Sequence, residues 1–199
     1  MEKGFQLAFE AAVDAYRRGS IPIGCAIMDG QNECVAMGQN SVYAADASEC
    51  VNGHHLAHAE INALLKVRGQ RAPNLTVFTT LEPCIQCFGA IVMGPYERIC
   101  YAAEDPYGGA AKMPGTNELL RNRKLDIIGP DKALQEIQVG LIVHRRLALG
   151  LHDSEKFLAM YQSYCPEGVE MGQRLLKNDV FAGLLKSDAP AAEVLAFLM

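Results

Sequence analysis

Two cysteines in the segment TTLEPCIQC, residues 79–87, are the first candidates for chemistry. Cys84 and Cys87 are three residues apart and follow Pro83, a residue that suits the first turn of a helix. At this spacing the two sulfurs face the same way, and the helix dipole stabilises thiolates there. The pair predicts half of a metal site, with zinc the usual occupant of sulfur-nitrogen sites. A redox pair is the alternative, because thioredoxin-like sites share the spacing.

A third ligand is available upstream, in the segment HAE at residues 58–60. His58 can supply an imidazole, so that Cys84, Cys87 and His58 provide three protein ligands, whereas structural zinc sites take four. A three-ligand site keeps one position for water, and zinc lowers the pKa of that water towards neutrality. Glu60 can then move protons as a carboxylate that does not bind the metal. The two side chains converge only if His58 lies at the first turn of its helix.

His54 and His55 leave a second metal pairing open. His54 precedes His58 by four residues, so both imidazoles could share a metal if one helix carried them. However, His54 and His55 follow the turn-forming pair Asn52-Gly53. We therefore expect them in a loop, at the mouth of the site or in solvent, and we expect His58 to be the nitrogen ligand.

Four other side chains near these motifs have more than one interpretation. Glu82 directly precedes Pro83, and we expect it to cap the helix or to support the site rather than to bind a substrate. Tyr43, Phe88 and Tyr107 are aromatic residues that could stack on a ring, although core packing explains Phe88 equally well.

The elements that must position these residues alternate along the chain. Periodicity and turn residues predict a helix near 5–15, a β-hairpin over 21–42, helices over 57–69 and 83–93, strands over 75–80, 98–104 and 125–129, a short helix within 114–122, and a long helix over 131–150. About twenty residues with a helix join the last two strands, so we expect these strands to be parallel. The layout predicts an α/β fold, a three-layer α/β/α sandwich with a mixed five-stranded sheet.

A helical C-terminal extension follows this layout. Three helical segments are predicted near 153–163, 167–186 and 188–198. We expect a catalytic domain over 1–150 and a helical extension over 151–199, packed on the same domain or on a neighbouring subunit. The extension has four basic and seven acidic side chains, a net charge of −3, which makes it a poor surface for phosphate.

Composition sets the broad class of the protein. Of its 199 residues, half are hydrophobic and 21% are charged, which is typical of a soluble globular chain. No apolar run reaches the length of a membrane span, and the N-terminal segment does not resemble a secretory signal. Five of the seven cysteines are scattered singly, as in a reducing compartment, so we expect a cytoplasmic protein. The net charge of −5 argues weakly against a polyanionic partner.

Several spaced motifs together resemble one known family. His-x-Glu followed by Pro-Cys-x-x-Cys is the signature of zinc-dependent nucleobase deaminases. Three segments are similar to motifs of the cytidine deaminase-like superfamily: HAEINAL, TTLEPCIQC and IPIGCAIMDGQNECVAMGQNS. The resemblance covers about 5–149. Within this superfamily, the chain resembles the branch of guanine deaminases, cytosine deaminases and tRNA adenosine deaminases in two features: histidine as the first ligand, and the parallel last strands. The segment EDPYGGAA, at 104–111, resembles the tRNA enzymes.

The resemblance implies hydrolytic deamination by one zinc ion per chain. It assigns His58, Cys84 and Cys87 to the metal and Glu60 to proton transfer. The expected substrate is a nucleobase, a nucleoside or a related small amino-heterocycle, which loses its exocyclic amine as ammonia.

The same resemblance implies how the substrate is held and how the chain assembles. Asn40 would hydrogen-bond the base, and backbone N–H groups near Ala59 and Cys84 would hold the heterocycle. A homodimer or larger homo-oligomer is expected, with no membrane partner. Two alternatives remain: a tRNA adenosine deaminase, which converts adenosine to inosine, and a non-catalytic binding module stabilised by zinc.

Overall fold

The computed structural model describes residues 1–67, 74–116, 118–151 and 154–199. Its strands are β1 (Gly24–Met28), β2 (Cys34–Gln39), β3 (Leu75–Leu81), β4 (Tyr96–Ala103) and β5 (Asp126–Ile128). Its helices are α1 (Lys3–Arg17), α2 (Ala59–Lys66), α3 (Ile85–Met93), α4 (Glu118–Asn122), α5 (Lys132–Ala148), α6 (Ser154–Gln162), α7 (Pro166–Leu175), α8 (Asp179–Lys186) and α9 (Ala191–Leu198). Residues 68, 69, 117 and 153, which fall in predicted helices, lie outside the described residues.

The five strands form one mixed sheet in the order β2-β1-β3-β4-β5. Strand β1 is antiparallel to both of its neighbours, β2 and β3. Strands β3, β4 and β5 are parallel to one another. The pairing of β4 with β5 confirms the prediction from the helical connection between them, since such a crossover returns the chain in the same direction.

Alternating side chains of the strands build a core on each face of the sheet. Met28 and Phe78 belong to a core that α1 and α5 complete, whereas their neighbours Ile27 and Val77 belong to a second core that α2 and α3 complete. Successive residues of a strand point to opposite faces, so the central strands β1 and β3, with both faces covered, are buried along nearly their whole length. The predicted three-layer α/β/α sandwich is confirmed.

A glycine in β2 allows α2 to lie directly on the hairpin. A Cβ atom at Gly38 would be 2.3 Å from the carbonyl oxygen of Ala59 and 2.3 Å from the amide nitrogen of Ala63. Only a residue without a side chain permits this approach of helix and strand. The contact fixes the first turn of α2, which is the turn that carries His58 and Glu60.

The C-terminal helices pack on the same chain. Helix α7 lies along α5, and α8 and α9 contact α1. Leu175, Phe181 and Val194 are buried in the core that also holds Phe9 of α1 and Leu141 of α5. The extension therefore covers the outer side of the helices on one face of the sheet. No helix in the described part of the chain combines the length and apolar character that a membrane span requires.

The single helix predicted over 167–186 is wrong, because the structure divides it into α7 and α8. The chain turns after Leu175, and Asn178 caps the new helix by accepting a hydrogen bond from the Phe181 N–H at 3.0 Å. Asparagine favours such a cap because its side-chain oxygen satisfies an N–H that has no partner within the helix. The periodic pattern continues through the turn, so hydrophobic spacing alone did not reveal the break.

Phe181→Ala should lower the free energy of unfolding by about 3–5 kcal/mol, the usual cost of removing a buried phenyl ring. Phe181 is fully buried, and its ring meets that of His144 edge-on at 5.0 Å between centroids. Denaturant unfolding measures the change. Phe197→Ala, at a partly exposed position in α9, is the comparison and should cost clearly less. A loss below about 1 kcal/mol for Phe181→Ala, the level of ordinary surface substitutions, would show that α8 does not belong to the cooperative core.

Candidate metal centre and active site

The predicted site residues meet at one edge of the sheet. Gln39, the last residue of β2, pairs with Gly24 at the start of β1. Next to Gly24 in β1, Cys25 pairs with Thr79, close to the end of β3. Asn40, which follows β2, therefore emerges at the same edge as the segment that follows β3. In open α/β sheets, ligands bind in the crevice at such carboxyl ends.

Three side chains form a compact group of metal donors at this edge. The Nδ1 atom of His58 lies 3.5 Å from the Sγ atom of Cys84 and 3.5 Å from the Sγ atom of Cys87. All three donor atoms lie within 4.8 Å of one another. Tetrahedral zinc has bonds of about 2.3 Å to sulfur and about 2.05 Å to nitrogen, so a bound nitrogen and a bound sulfur would lie about 3.6 Å apart. The donor set and its spacing therefore fit zinc.

The backbone presents two of these donors immediately before helices. His58 and Cys84 are the N-cap residues of α2 and α3, with extended backbone conformations, and neither side chain caps its own helix. Both side chains are thus free to face each other across the gap between the helices. The prediction that Pro83 opens α3 is wrong by two residues, because α3 begins at Ile85. Cys87 lies in the first turn of α3 and is fully buried.

The two sulfurs have opposite pKa shifts because they share a hydrogen bond. The thiol of Cys87 donates to the sulfur of Cys84, which together with the nearby His58 lowers the pKa of Cys84 to about 4 although burial opposes the shift. The pKa of Cys87 is raised, chiefly by the same hydrogen bond and by burial. These contacts favour the thiolate form of Cys84. A metal ion that binds both sulfurs has to displace the proton of Cys87.

Glu60 contacts the donor group but is not part of it. Its side chain is buried, its Oε1 atom accepts a hydrogen bond from Thr79 Oγ1 at 2.9 Å, and its Oε2 atom lies 3.3 Å from the sulfur of Cys87. Burial raises the pKa of the Glu60 carboxyl. The arrangement places a carboxyl group beside the metal donors, where it can exchange a proton with a group bound between them. Sequence reasoning missed Thr79, which is one of three threonines in β3 and has no motif that distinguishes it.

Asn40 and Ala59 lie at the same edge in buried positions. The Asn40 side chain is 2% exposed, and its Oδ1 atom accepts hydrogen bonds from Ser20 Oγ at 2.6 Å and from the Val42 N–H at 3.2 Å. Ala59 is the first residue of α2 and is fully buried. The N–H groups of a first helical turn have no partners within the helix, so the Ala59 N–H can donate to a ligand. Sequence reasoning also missed Ser20, for which no motif gives a signal.

Asn62 holds the long loop between β2 and α2 against the sheet. This fully buried side chain donates from Nδ2 to the carbonyl oxygen of Gln39 at 3.1 Å and to the hydroxyl of Ser41 at 3.0 Å. Its Oδ1 atom accepts from the Val51 N–H at 2.9 Å. Asn62 thereby joins α2, the end of β2 and the loop. An asparagine within the apolar face of a helix is the signal that could have identified it.

Glu82 holds the loop that follows β4 next to the site. Its two carboxylate oxygens accept hydrogen bonds from the N–H groups of Asp105, at 3.1 Å, and Ala111, at 2.8 Å. A Cβ atom at Gly109 would lie 2.3 Å from the Glu82 carboxyl carbon, so the loop wraps closely around this side chain. Of the two expected roles, the structure shows the supporting contact and not the helix cap, since Cys84 is the N-cap of α3.

The remaining candidates lie outside the donor group. His54 and His55 precede α2 and are exposed, with ring centroids 4.0 Å apart, and His54 Nδ1 accepts from the Leu56 N–H. Tyr43 and Tyr107 are exposed, whereas Phe88 is buried in the core. A cavity of about 1140 Å³ opens at the opposite edge of the sheet, beside the β1–β2 turn, and none of the site residues lines it.

Residues 1–103 match the family model described as the cytidine and deoxycytidylate deaminase zinc-binding region. The chain belongs to this deaminase family. The match covers more than half of the chain and includes each of the three metal donors, Glu60 and Asn40. The predicted family resemblance is confirmed, and the zinc-binding character of the family agrees with the donor geometry.

This deaminase-family chain is similar to proteins with different substrates. It is 34% identical over 114 residues to a tRNA-specific adenosine deaminase of Haemophilus influenzae, covering 55% of this chain and 61% of that protein. It is 29% identical over 116 residues to a cytosine deaminase of Candida albicans, covering 56% of this chain and 72% of that protein. The chain thus matches less than two thirds of the length of the Haemophilus enzyme.

The fold is also similar to that of a solved deaminase structure. A guanine deaminase from Nitrosomonas europaea superposes with a TM-score of 0.55 at 20% identity, covering 72% of this chain and 81% of that one. At this level of identity the superposition shows the fold alone. It agrees with the predicted cytidine deaminase-like sandwich.

Proposed function

We propose that the protein is a zinc-dependent hydrolytic deaminase that removes the exocyclic amine of a nucleobase, a nucleoside or a related small amino-heterocycle. One observation carries this proposal: the buried carboxyl group of Glu60 lies against three donors whose spacing fits zinc. Three protein ligands leave the fourth tetrahedral position open, as in catalytic zinc sites, whereas structural sites are closed by four. A carboxylate beside that open position is suited to general acid–base catalysis.

In this proposal His58, Cys84 and Cys87 hold one zinc ion per chain. The imidazole binds through Nδ1, the nitrogen that faces both sulfurs. The helix dipole of α3 and the nearby imidazole stabilise the thiolate form that binding requires. When bound, zinc supplies a water molecule that is acidic enough to act as a nucleophile near neutral pH.

Glu60 moves the protons of the reaction. Its carboxylate accepts one proton from the nucleophilic water and delivers it to the ring nitrogen next to the amine-bearing carbon. It then transfers the second proton to the departing amine, so that water and the amino-heterocycle become ammonia and the corresponding carbonyl compound. The hydrogen bond from Thr79 to Oε1 fixes the carboxylate and leaves Oε2 on the side of the metal donors.

Asn40 and Ala59 orient the heterocycle. The two Nδ2 protons of Asn40 donate to acceptors on the ring, since its Oδ1 atom is already engaged by Ser20 and Val42. The Ala59 N–H, at the first turn of α2, donates to a ring substituent. Fixed donors of this kind lower the barrier by holding the reacting carbon next to its nucleophile.

Adenosine in tRNA is the second candidate substrate, because the chain is similar to a tRNA-specific adenosine deaminase. Against it stands the C-terminal extension with its net charge of −3, since phosphate contacts depend on clustered lysine and arginine. A non-catalytic zinc-stabilised module is the third candidate. It gives no reason for a buried carboxyl group next to an open metal position.

An ammonia-release screen of the zinc-loaded protein tests the proposal. Guanine, cytosine, adenine, their nucleosides, amino-triazines and tRNA are offered separately. We expect release from at least one free base, nucleoside or triazine. If only tRNA releases ammonia, the substrate is adenosine in tRNA and not a small molecule. If no compound releases ammonia although zinc is bound, the non-catalytic binding module is the remaining candidate.

We also propose the organisation of the chain. Residues 1–150 would form the catalytic domain, with 151–199 as an extension packed on α1 and α5 of the same chain. A second copy would cover exposed apolar side chains of α2 and α3, among them Leu65, Ile85 and Met93. A cytoplasmic location suits a site that needs both cysteines reduced.

A further inference from the structure

We propose that Ser20 is a positioning residue that fixes the Asn40 amide with its N–H donors directed at the substrate. The inference rests on the proposed function, in which Asn40 contacts the heterocycle. Ser20 lies in the turn between α1 and β1, is fully buried, and belongs to none of the motifs that carry the metal donors. Its hydroxyl is the only side-chain group that hydrogen-bonds the Asn40 amide within the described ranges 1–67, 74–116, 118–151 and 154–199.

A chain of hydrogen bonds determines which way the amide points. The Val42 N–H lies 3.2 Å from one end of the Asn40 amide, and a backbone N–H can only donate, so that end is the carbonyl oxygen Oδ1. The Tyr43 N–H, also a donor only, lies 3.2 Å from Ser20 Oγ. The hydroxyl of Ser20 therefore accepts from Tyr43 and directs its own proton to Oδ1, at 2.6 Å.

This chain of bonds resists rotation of the amide by half a turn. A rotated Asn40 would set its NH₂ group against the Val42 N–H, with donor facing donor. It would also force the Ser20 hydroxyl to rotate, although the Tyr43 N–H already occupies one of its lone pairs. Linked hydrogen bonds of this kind strengthen one another in a buried environment.

The turn that carries Ser20 is itself held by two helices. The Ser20 N–H donates to the carbonyl oxygen of Ala15 in α1 at 2.9 Å. Arg145 of α5 donates to the neighbouring Gly19 carbonyl oxygen, and its guanidinium group lies 5.2 Å from the centre of the Tyr16 ring. Ser20 is therefore held in place by α1 and α5, and it in turn holds the side chain of Asn40.

The fixed orientation defines a requirement for the substrate. The Asn40 side chain is 2% exposed, and its Nδ2 protons meet no acceptor among the described residues. A ligand that covers these Nδ2 protons has to supply an acceptor for them, because an N–H donor that is removed from water without a partner is costly. The substrate class is therefore a heterocycle with a hydrogen-bond acceptor at the position that faces Asn40, either a carbonyl oxygen or an unprotonated ring nitrogen. A ring with only C–H or N–H groups there would be rejected.

Ser20→Ala in the zinc-loaded full chain tests the inference, with Thr80→Val as the matched control. Thr80 is also fully buried, and its hydroxyl accepts from the Gly24 N–H at 3.2 Å and makes no hydrogen bond to the Asn40 amide. Both variants lose a buried hydroxyl, so both should lower Tm. Only Ser20→Ala should mobilise the Asn40 side-chain NH₂ group, with its ¹⁵N order parameter falling from the rigid range to below about 0.6. An amide that stays ordered in Ser20→Ala overturns the inference.

Kinetics give the second measurement, on whichever compound of the ammonia-release screen the wild type deaminates. Ser20→Ala should lose about tenfold in kcat/KM, mostly through a higher KM, because it removes a hydrogen bond that acts through Asn40. Thr80→Val should stay within about twofold of the wild type. Equal losses in both variants would reduce Ser20 to a structural role. If the wild type deaminates nothing, the proposed function fails, while the NMR measurement still decides the role of Ser20.

Discussion

Glu60→Gln should bind as much zinc as the wild type and lose about 10³- to 10⁴-fold in kcat, the upper range for general acid–base catalysis. The amide of glutamine fills the same space and can keep the hydrogen bond from Thr79 to its oxygen, but it cannot accept the proton of the nucleophile. Because Glu60 lies outside the group of His58, Cys84 and Cys87, its replacement leaves the donor set intact. The variant should therefore lose turnover and keep its zinc.

Zinc content by mass spectrometry and ammonia release by coupled assay measure the two quantities on the same sample. Glu10→Gln, which changes an α1 carboxylate far from the site in sequence that accepts a hydrogen bond from Gln6 one helical turn away, should change neither quantity. Turnover retained by Glu60→Gln would remove Glu60 from the mechanism. Zinc lost from Glu60→Gln would instead show that the carboxylate supports the metal.

His58→Ala should lower zinc affinity by at least about 100-fold, since even a residue that only supports a ligand costs 10- to 100-fold. The imidazole supplies the one nitrogen of the donor set, and its Nδ1 atom is equally distant from both sulfurs. Without it two sulfurs remain, which is too few to hold zinc firmly. Competition with a chromogenic zinc chelator measures the affinity without reference to activity.

His54→Ala is the matched control for this experiment. His54 is exposed in the loop before α2, and its Nδ1 atom is engaged by the Leu56 N–H. We expect wild-type zinc affinity in this variant. If His54→Ala loses zinc while His58→Ala retains it, His54 and not His58 is the nitrogen ligand. If both variants lose zinc, the two histidines share the metal.

The sequence by itself determined the local parts of the site and most of the fold. Cys84 and Cys87 are one helical turn apart, and His58 and Glu60 are two residues apart at a helix start, so short-range geometry lets the members of each pair face the same way. The two pairs meet across 26 to 29 residues, which only the folded chain brings about. Alternation and periodicity likewise predict strands and helices, because both patterns arise from the repeat of the backbone. The parallel last strands follow from the length of their connection.

Only the tertiary structure decided which distant side chains support the site. Thr79 reaches Glu60 across 19 residues of sequence, Ser20 reaches Asn40 across 20, and the loop after β4 closes on Glu82 across 23 or more. These contacts depend on the order and register of the strands, which no local spacing encodes. The turn at Asn178 and the packing of the extension on α1 and α5 are of the same kind. They depend on surfaces that exist only once the helices have assembled.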